Sequence, residues 1–346
     1  MYNGQKVIDV HGHMSTPPHF RAYAYNLIAL RSPGDGELEM SDELAESALG
    51  RHLRMMDERN IDIQMISPRP VAMMHWERPF VVEKWTRTTN NVIHRHCQLH
   101  PDRFVGIAQL PQNVKLDTRN LIAELERCVK ELSFVGAMVN PDPGGDRQTP
   151  GMNTEYWFPL YEKAQALQCP LIVHPSISRD PRIEIIPHNY QYNNITEETL
   201  ATLLLENSNV FDLFPQLKVI ICHCGGALRR TLVRAKPSGE SSGGQVGMAI
   251  RRREGRERDV SNNLFFDTCA YDKDFLATAI RQRGADRMLF GTEAPGTGSG
   301  VIHPETGKPS DDLIPLIDAI SFLTREDKMK IFRENAKRIF PLLKVH

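Results

Sequence analysis

The chain has 346 residues, of which 40% are hydrophobic and 25% are charged, a balance typical of globular proteins with a sizeable core. Its 42 Lys and Arg residues nearly cancel its 43 Asp and Glu residues, so there is no electrostatic reason to expect nucleic acid or a membrane surface as partner. With no leader-like N-terminus and no apolar run of about 18 residues, we expect a cytoplasmic protein. Its six cysteines form no C-x-x-C pair, which argues against a Cys-rich zinc site.

Eight short apolar segments along the chain predict buried strands. Near-continuous apolar runs of this length are typical of parallel strands that are covered on both faces. The predicted strands are residues 6–11, 61–67, 104–110, 134–140, 170–174, 218–223, 263–268 and 287–293.

Amphipathic stretches lie between these segments. Ser41 is expected to cap a helix with an acidic first turn and a buried stripe at Leu49, Leu53 and Met56. Further helices are predicted over residues 117–132, 154–167 and 311–323. This alternation predicts a single-domain (β/α)8 TIM barrel over residues 1–346, and a doubly wound open sheet is the alternative.

Two segments interrupt the alternation. Residues 14–40 contain several prolines and glycines and predict a long loop after strand 1. Residues 236–260 are rich in Ser and Gly and then strongly basic, which predicts a solvated insertion after strand 6. A mobile lid or a subunit contact is the alternative for this insertion.

Five potential metal ligands lie at the predicted carboxyl ends of strands. His11 and His13 end the first strand, two residues apart and therefore on one side of it, while His174 ends the fifth, His223 ends the sixth and Glu293 follows the eighth. The carboxyl ends of barrel strands meet at one face, so we expect these side chains to converge. Nitrogen and carboxylate ligands with an open position suit a catalytic Zn²⁺, with Mn²⁺ or Fe²⁺ as alternatives.

Four other residues are candidates for the same face. Arg69 follows the second strand, and its planar guanidinium suits a substrate carboxylate. Asn140 and Tyr190 are candidates for further substrate contacts. Asp267 ends the seventh strand, where a carboxylate can orient a ligand histidine or cap the following helix.

The order of these motifs resembles the amidohydrolase superfamily, in the branch that holds aminocarboxymuconate semialdehyde decarboxylase and the aromatic-acid decarboxylases. The shared features are "DVHGHM", the strand-ending His174, "HCGG" at His223 and "FGTE" at Glu293. The resemblance implies that His11, His13, His174 and Glu293 surround a zinc ion, with His223 as acid or base. Within the branch, "SPRP", "FFDTCAY" and "PETGKPSDD" resemble the 4-oxalomesaconate hydratases, which carry Glu where the decarboxylases usually carry Asp.

The resemblance implies a metal-dependent hydro-lyase that adds water to an unsaturated di- or tricarboxylic acid of aromatic catabolism. The alternatives are non-oxidative decarboxylation of an aromatic or muconate-type acid, and hydrolysis. An alternative of another class is a non-catalytic barrel subunit of a complex. A small-molecule carboxylate is the expected substrate, and the resemblance implies a homo-oligomer.

Overall fold

The computed structural model describes residues 1–31, 38, 40–113, 115–187, 189–228 and 259–345. Within them, eight parallel strands pair in chain order around one sheet. The strands are β1 (Ile8–His13), β2 (Ile63–Ser67), β3 (Phe104–Ala108), β4 (Gly136–Val139), β5 (Leu171–Val173), β6 (Val219–Ile221), β7 (Leu264–Asp267) and β8 (Met288–Leu289). Each of the eight predicted strands is therefore confirmed, although most are shorter than their apolar segments.

The first and last strands also meet. The Val10 amide donates to the Phe290 carbonyl at 2.8 Å, and Gly12 and Ala294 form a parallel bridge. A doubly wound open sheet would place its strands out of chain order and leave two edges. The sequential order and the contact between β1 and β8 establish the (β/α)8 barrel instead.

Helices pack outside the strands. They are α1 (Pro18–Ala29), α2 (Asp42–Glu58), α3 (Pro79–Leu99), α4 (Ile122–Lys130), α5 (Phe158–Ala166), α6 (Pro181–Glu184), α7 (Asn189–Glu206), α8 (Val210–Leu213), α9 (Lys273–Arg283), α10 (Ile314–Asp318), α11 (Arg325–Met329) and α12 (Asn335–Ile339). In the part of the chain described above, no helix combines the length and the apolar character needed to span a bilayer.

The predicted start of α2 is confirmed. The Ser41 hydroxyl accepts a hydrogen bond from the Leu44 amide at 3.3 Å, and Leu49 and Met56 are fully buried between the helix and the barrel. One apolar residue from most strands fills the barrel interior, including Ile172 of β5 and Phe265 of β7. The carboxyl ends of the strands are left for polar side chains.

The segment after β1 is not the long loop that we expected, because residues 18–29 form α1. Pro18 suits the first position of a helix, where no amide donor is needed. Only Phe20 and Leu27 of α1 are buried, so the apolar period that would reveal the helix is nearly absent. The insertion predicted over residues 236–260 lies outside the described residues, apart from Asp259 and Val260.

The segment after β5 that contains Tyr190 forms the 18-residue helix α7, which was not predicted from the sequence. Its buried face is largely polar, which explains why hydrophobic periodicity did not reveal it. The buried polar residues are Asn193, Asn194, Glu197, Glu198 and Thr202.

Candidate metal centre

Four histidines converge at the carboxyl ends of β1, β5 and β6. The ring centroids of neighbouring pairs lie between 4.9 and 5.6 Å apart. The Glu293 carboxylate faces three of these rings, with its Oε1 at 3.9 Å from His13 Nε2, 3.5 Å from His174 Nε2 and 3.4 Å from His223 Nε2. The His11 ring lies beside the other three. The five strand-end residues singled out in the sequence therefore come together.

Each histidine is fixed through its Nδ1 atom by a different partner. His11 Nδ1 lies 2.7 Å from an Asp267 carboxylate oxygen, and His13 Nδ1 lies 2.9 Å from the Ser67 hydroxyl. His174 Nδ1 lies 2.7 Å from the Pro175 carbonyl, and His223 Nδ1 lies 2.5 Å from Glu198. Since a carbonyl can only accept, His174 Nδ1 carries its proton and Nε2 keeps a lone pair; an ionised Asp267 imposes the same tautomer on His11.

Two of the resulting Nε2 atoms have no partner of their own. His11 Nε2 and His174 Nε2 are buried and lack a hydrogen bond to any described residue. Unpaired buried nitrogen lone pairs are costly in a protein interior, whereas a divalent cation satisfies them. These two orphaned atoms, beside a carboxylate, fit a metal ion.

The ligand atoms that lie closest together differ slightly from the expected set. One nitrogen each of His11, His174 and His223 and one oxygen of Glu293 lie within 4.8 Å of one another. His13 stands outside this tightest group, although its ring is 5.2 Å from that of His11. The geometry thus places His223 nearer the centre than the resemblance implied.

The electrostatics of the site keep Glu293 ionised. Burial acts to raise the pKa of Glu293, but the facing rings of His13, His174 and His223 outweigh it and hold the pKa well below its usual range. Burial lowers the pKa of His13 to about 3, which favours the neutral ring that a metal ligand requires. Burial also raises the pKa of Glu198 to about 7, although the neighbouring His223 opposes this shift.

Glu293 is held by contacts on both its side chain and its backbone. The Tyr271 hydroxyl donates to its Oε2 at 3.1 Å, and its amide donates to the His11 carbonyl at 2.6 Å. Its φ of 62° lies in the left-handed region, a conformation that costs a non-glycine residue ~1–3 kcal/mol and persists only where the surroundings enforce it. The contacts with β1 provide that enforcement.

Asp267 orients His11 and does not cap the following helix. Its second oxygen accepts a hydrogen bond from the Cys269 amide at 3.0 Å. The cap of α9 is Asp272, whose carboxylate accepts from the Phe275 amide at 2.7 Å. Of the two roles that the sequence left open for Asp267, the structure shows the contact with His11 and not the helix cap.

A cavity of about 1170 Å³ opens beside His13, His174 and Glu293. Arg69 and Tyr190 both line it, as their candidacy for substrate contact requires. Arg69 forms no ion pair with any described residue, and burial lowers its pKa although the Glu293 charge opposes this. Four more arginines line the same cavity: Arg21, Arg51, Arg54 and Arg59.

Asn140 has a different position from the one expected for a substrate contact. It is fully buried and does not line the cavity. Its amide nitrogen donates to the His174 carbonyl at 2.5 Å, and its amide oxygen binds His75. The side chain therefore supports the backbone of His174 and lies outside the cavity in which a substrate would bind.

Sequence reasoning missed three residues that hold this centre. Ser67 is the only hydroxyl-bearing residue of β2 and ends that strand, a signal that was available. Tyr271 lies in the "FFDTCAY" segment, but nothing in its spacing indicates a contact with Glu293. Glu198 lies on α7, which the hydrophobic pattern does not predict.

Comparisons with known proteins agree with this geometry. A family model described as Amidohydrolase matches residues 8–342. The chain is 34% identical to 2-keto-4-carboxy-3-hexenedioate hydratase from Sphingobium sp., over 97% of this chain and 96% of the relative. It is 31% identical to gamma-resorcylate decarboxylase from Polaromonas sp., over 71% of this chain and 76% of the relative.

A solved structure is similar over nearly the whole chain. The crystal structure of 4-oxalomesaconate hydratase from Rhodopseudomonas palustris matches with a TM-score of 0.79 and 31% identity, covering 97% of this chain and 96% of the other. These relatives are enzymes, and the family is metal-dependent, in agreement with the cluster of candidate ligands. The chain belongs to the amidohydrolase family.

Proposed function

We propose that this protein is a metal-dependent hydro-lyase that adds water to an unsaturated di- or tricarboxylic acid. In this reaction the hydroxyl oxygen of water bonds to one carbon of a C=C bond and a proton bonds to the other. The observation that carries the proposal is the cavity, in which several arginines surround an opening onto Glu293 and its histidines. The full-length similarity to a hydratase from Sphingobium sp. supports the same reaction.

A divalent metal ion fits the residues present. His11 and His174 would hold it through their orphaned Nε2 atoms, with Glu293 and either His13 or His223 completing the set. We favour Zn²⁺ for this mixture of nitrogen and carboxylate ligands, and Mn²⁺ and Fe²⁺ accept the same donors. When bound, such an ion supplies a Lewis acid that polarises a carbonyl and makes hydroxide available near neutral pH.

The protein residues have distinct parts in the reaction. With His13 completing the ligand set, His223 is free to move a proton at Nε2, because its Nδ1 atom is bound to Glu198 and Nε2 is the atom that faces Glu293. The ionised Glu293 either holds the ion or takes a proton from water, and Tyr271 fixes the orientation of its carboxylate. Because His11 and His174 are held at Nδ1, they keep their lone pairs directed at the same point.

The arginines suit a substrate with more than one carboxylate. Arg59 is neutralised by Asp311 at 2.6 Å, which leaves Arg21, Arg51, Arg54 and Arg69 as the other guanidinium groups of the cavity wall. Glu58 and Glu293 are the acidic residues that line it. Guanidinium groups bind carboxylates through paired hydrogen bonds, so this excess of positive charge favours a polyanion over a neutral amide or ester.

Decarboxylation is the second candidate, because gamma-resorcylate decarboxylase from Polaromonas sp. is 31% identical to the chain. An aromatic acid with a single carboxylate would leave most of the arginines without a partner. Carbon dioxide release from 2,6-dihydroxybenzoate would favour this reaction, and a non-catalytic barrel would carry out neither.

The test is an assay on purified protein with 2-keto-4-carboxy-3-hexenedioate, the compound in the name of the Sphingobium relative. Hydration removes the conjugated double bond, so ultraviolet absorbance falls and the product mass increases by one water. We expect a chelator to abolish the activity and Zn²⁺ to restore it. Activity that is indifferent to chelation, or product masses lacking the added water, would contradict the proposal.

A further inference from the structure

A buried glutamine behind the metal centre connects the two segments that carry its candidate ligands. Gln64 of β2 is fully buried, and its amide nitrogen donates to an Asp9 carboxylate oxygen at 2.8 Å and to the Ala294 carbonyl at 3.1 Å. Its amide oxygen lies 2.6 Å from His52 Nε2 of α2. The carboxamide thus uses both of its N–H groups and its oxygen. Its orientation is fixed, because a flipped amide would place its oxygen against two acceptors.

The groups that Gln64 binds are the backbone supports of the centre. Asp9 also accepts hydrogen bonds from the amides of His11 and Thr292, at 3.0 and 3.2 Å, and from the Thr292 hydroxyl at 2.6 Å. The Ala294 carbonyl accepts from the His13 amide at 3.2 Å in addition to Gln64. Residues on both sides of Glu293 are therefore tied to β1 through Asp9 and Gln64.

The glycine of the His-Gly-His motif is explained by the same side chain. A Cβ atom at Gly12 would lie 2.3 Å from Gln64 Cδ and 2.6 Å from its Nε2. The carboxamide therefore lies directly against the backbone between the two histidines. Any side chain at residue 12 must displace the carboxamide, even though it removes no polar group.

We propose that Gln64 is a positioning residue that fixes the backbone of Glu293 relative to the histidines of β1. Glu293 has a left-handed backbone that must be enforced by its neighbours, and the Gln64 bond to Ala294 is one of the contacts that enforce it. The function of Gln64 in hydration rests on the function proposed above, but its effect on the metal site does not.

The first test uses Co²⁺ alone as a spectroscopic probe, because its visible spectrum reports the geometry of its ligands. Gln64→Leu removes the three hydrogen bonds, whereas Gly12→Ala keeps every polar group and displaces the carboxamide. Both variants are expected to bind Co²⁺ in the same molar ratio as wild type and to shift its visible bands in the direction that Glu293→Gln shifts them. Wild-type bands in both variants would overturn the proposal, as would loss of Co²⁺ from both.

Gln109→Leu is the matched control. Gln109 is equally buried, at the end of β3, and its amide nitrogen donates to the Met73 carbonyl and the Thr86 hydroxyl at 3.2 and 3.1 Å. Its loss removes comparable hydrogen bonds without touching Asp9 or Ala294. We expect a less stable protein with the wild-type Co²⁺ spectrum, and a spectral shift as large as that of Gln64→Leu would reduce Gln64 to a general structural role.

Kinetics separate this inference from the proposed function. If wild type hydrates the unsaturated acid, both Gln64→Leu and Gly12→Ala should lower kcat at least tenfold and change KM less than threefold. In the double variant Gly12→Ala/Gln64→Ala the losses of the single variants Gly12→Ala and Gln64→Ala should not add, because both act on one side chain. If wild type binds Co²⁺ but hydrates nothing, the proposed function fails, while the spectra of the variants still decide the role of Gln64.

Discussion

Arg69 offers the sharpest test of how the cavity recognises its substrate. It follows β2, lines the cavity beside Glu293 and forms no ion pair with another described residue. We expect Arg69→Ala to weaken binding of a carboxylate substrate and to leave the metal content unchanged. The guanidinium is already partly desolvated, so it loses little hydration when it meets its ligand.

The size of the effect follows from the type of contact. A hydrogen bond to a charged group contributes about 1.5–3 kcal/mol, which corresponds to a KM increase of roughly 10- to 150-fold when the contact is made equally in ground and transition states. Arg69→Lys keeps the charge but loses the planar pair of donors, so its KM should fall between those of wild type and Arg69→Ala.

The assay is the initial rate of absorbance loss at increasing concentrations of 2-keto-4-carboxy-3-hexenedioate. Arg119→Ala serves as the control, because the Arg119 side chain is 78% exposed and does not line the cavity. An unchanged KM in Arg69→Ala, or an equal change in Arg119→Ala, would refute this role for Arg69. The same assay on the cavity arginines of α1 and α2 would then locate the carboxylate contact.

Three further predictions concern the metal, the fold and the response to acid. Asp267→Asn should weaken metal affinity about 10- to 100-fold, measured by competition with a chelator, because a carboxylate no longer orients His11; unchanged affinity would contradict this. Gly106→Ala should lower the free energy of unfolding by about 1–3 kcal/mol in urea titrations without loss of metal, because its Cβ would lie 2.3 Å from the Phe134 ring. Burial lowers the pKa of His96 to about 3, so the unfolded chain binds a proton that the folded protein excludes, and stability should fall as pH decreases from about 6.5 towards 3. His96→Leu should make this decline shallower, and an identical slope in wild type and variant would show that His96 does not contribute.

The barrel was predictable from the sequence because its strands are covered on both faces. Segments such as residues 170–174 and 218–223 are almost wholly apolar, which distinguishes them from the amphipathic helices between them. Once the strands are placed, the barrel itself brings the residues at their ends to one face. The convergence of His11, His174 and Glu293 therefore followed from strand order alone.

The residues that support the site were not predictable, because the segments that carry them are polar even where they are buried. α7 buries Asn193, Glu197 and Glu198 towards the barrel, so its inner face looks like an exposed surface in the sequence. Asn140 shares a strand end with the ligands, yet its side chain turns to His75 and the His174 carbonyl. Strand-end position fixes where the backbone lies, but the direction of each side chain depends on partners that are distant in the chain.

The four histidines show why such distant partners matter for the chemistry. Two of them are backed by carboxylates, Asp267 for His11 and Glu198 for His223, and the others by a hydroxyl and a carbonyl. A carboxylate partner strengthens the basicity of the ring it supports, whereas a neutral partner mainly fixes its tautomer. The rings of one site are thereby given different properties by residues from β2, β7, α7 and the segment that follows β5. Glu198 stands on a helix and Asp267 on a strand of the barrel wall, so the two carboxylate partners come from different layers of the fold.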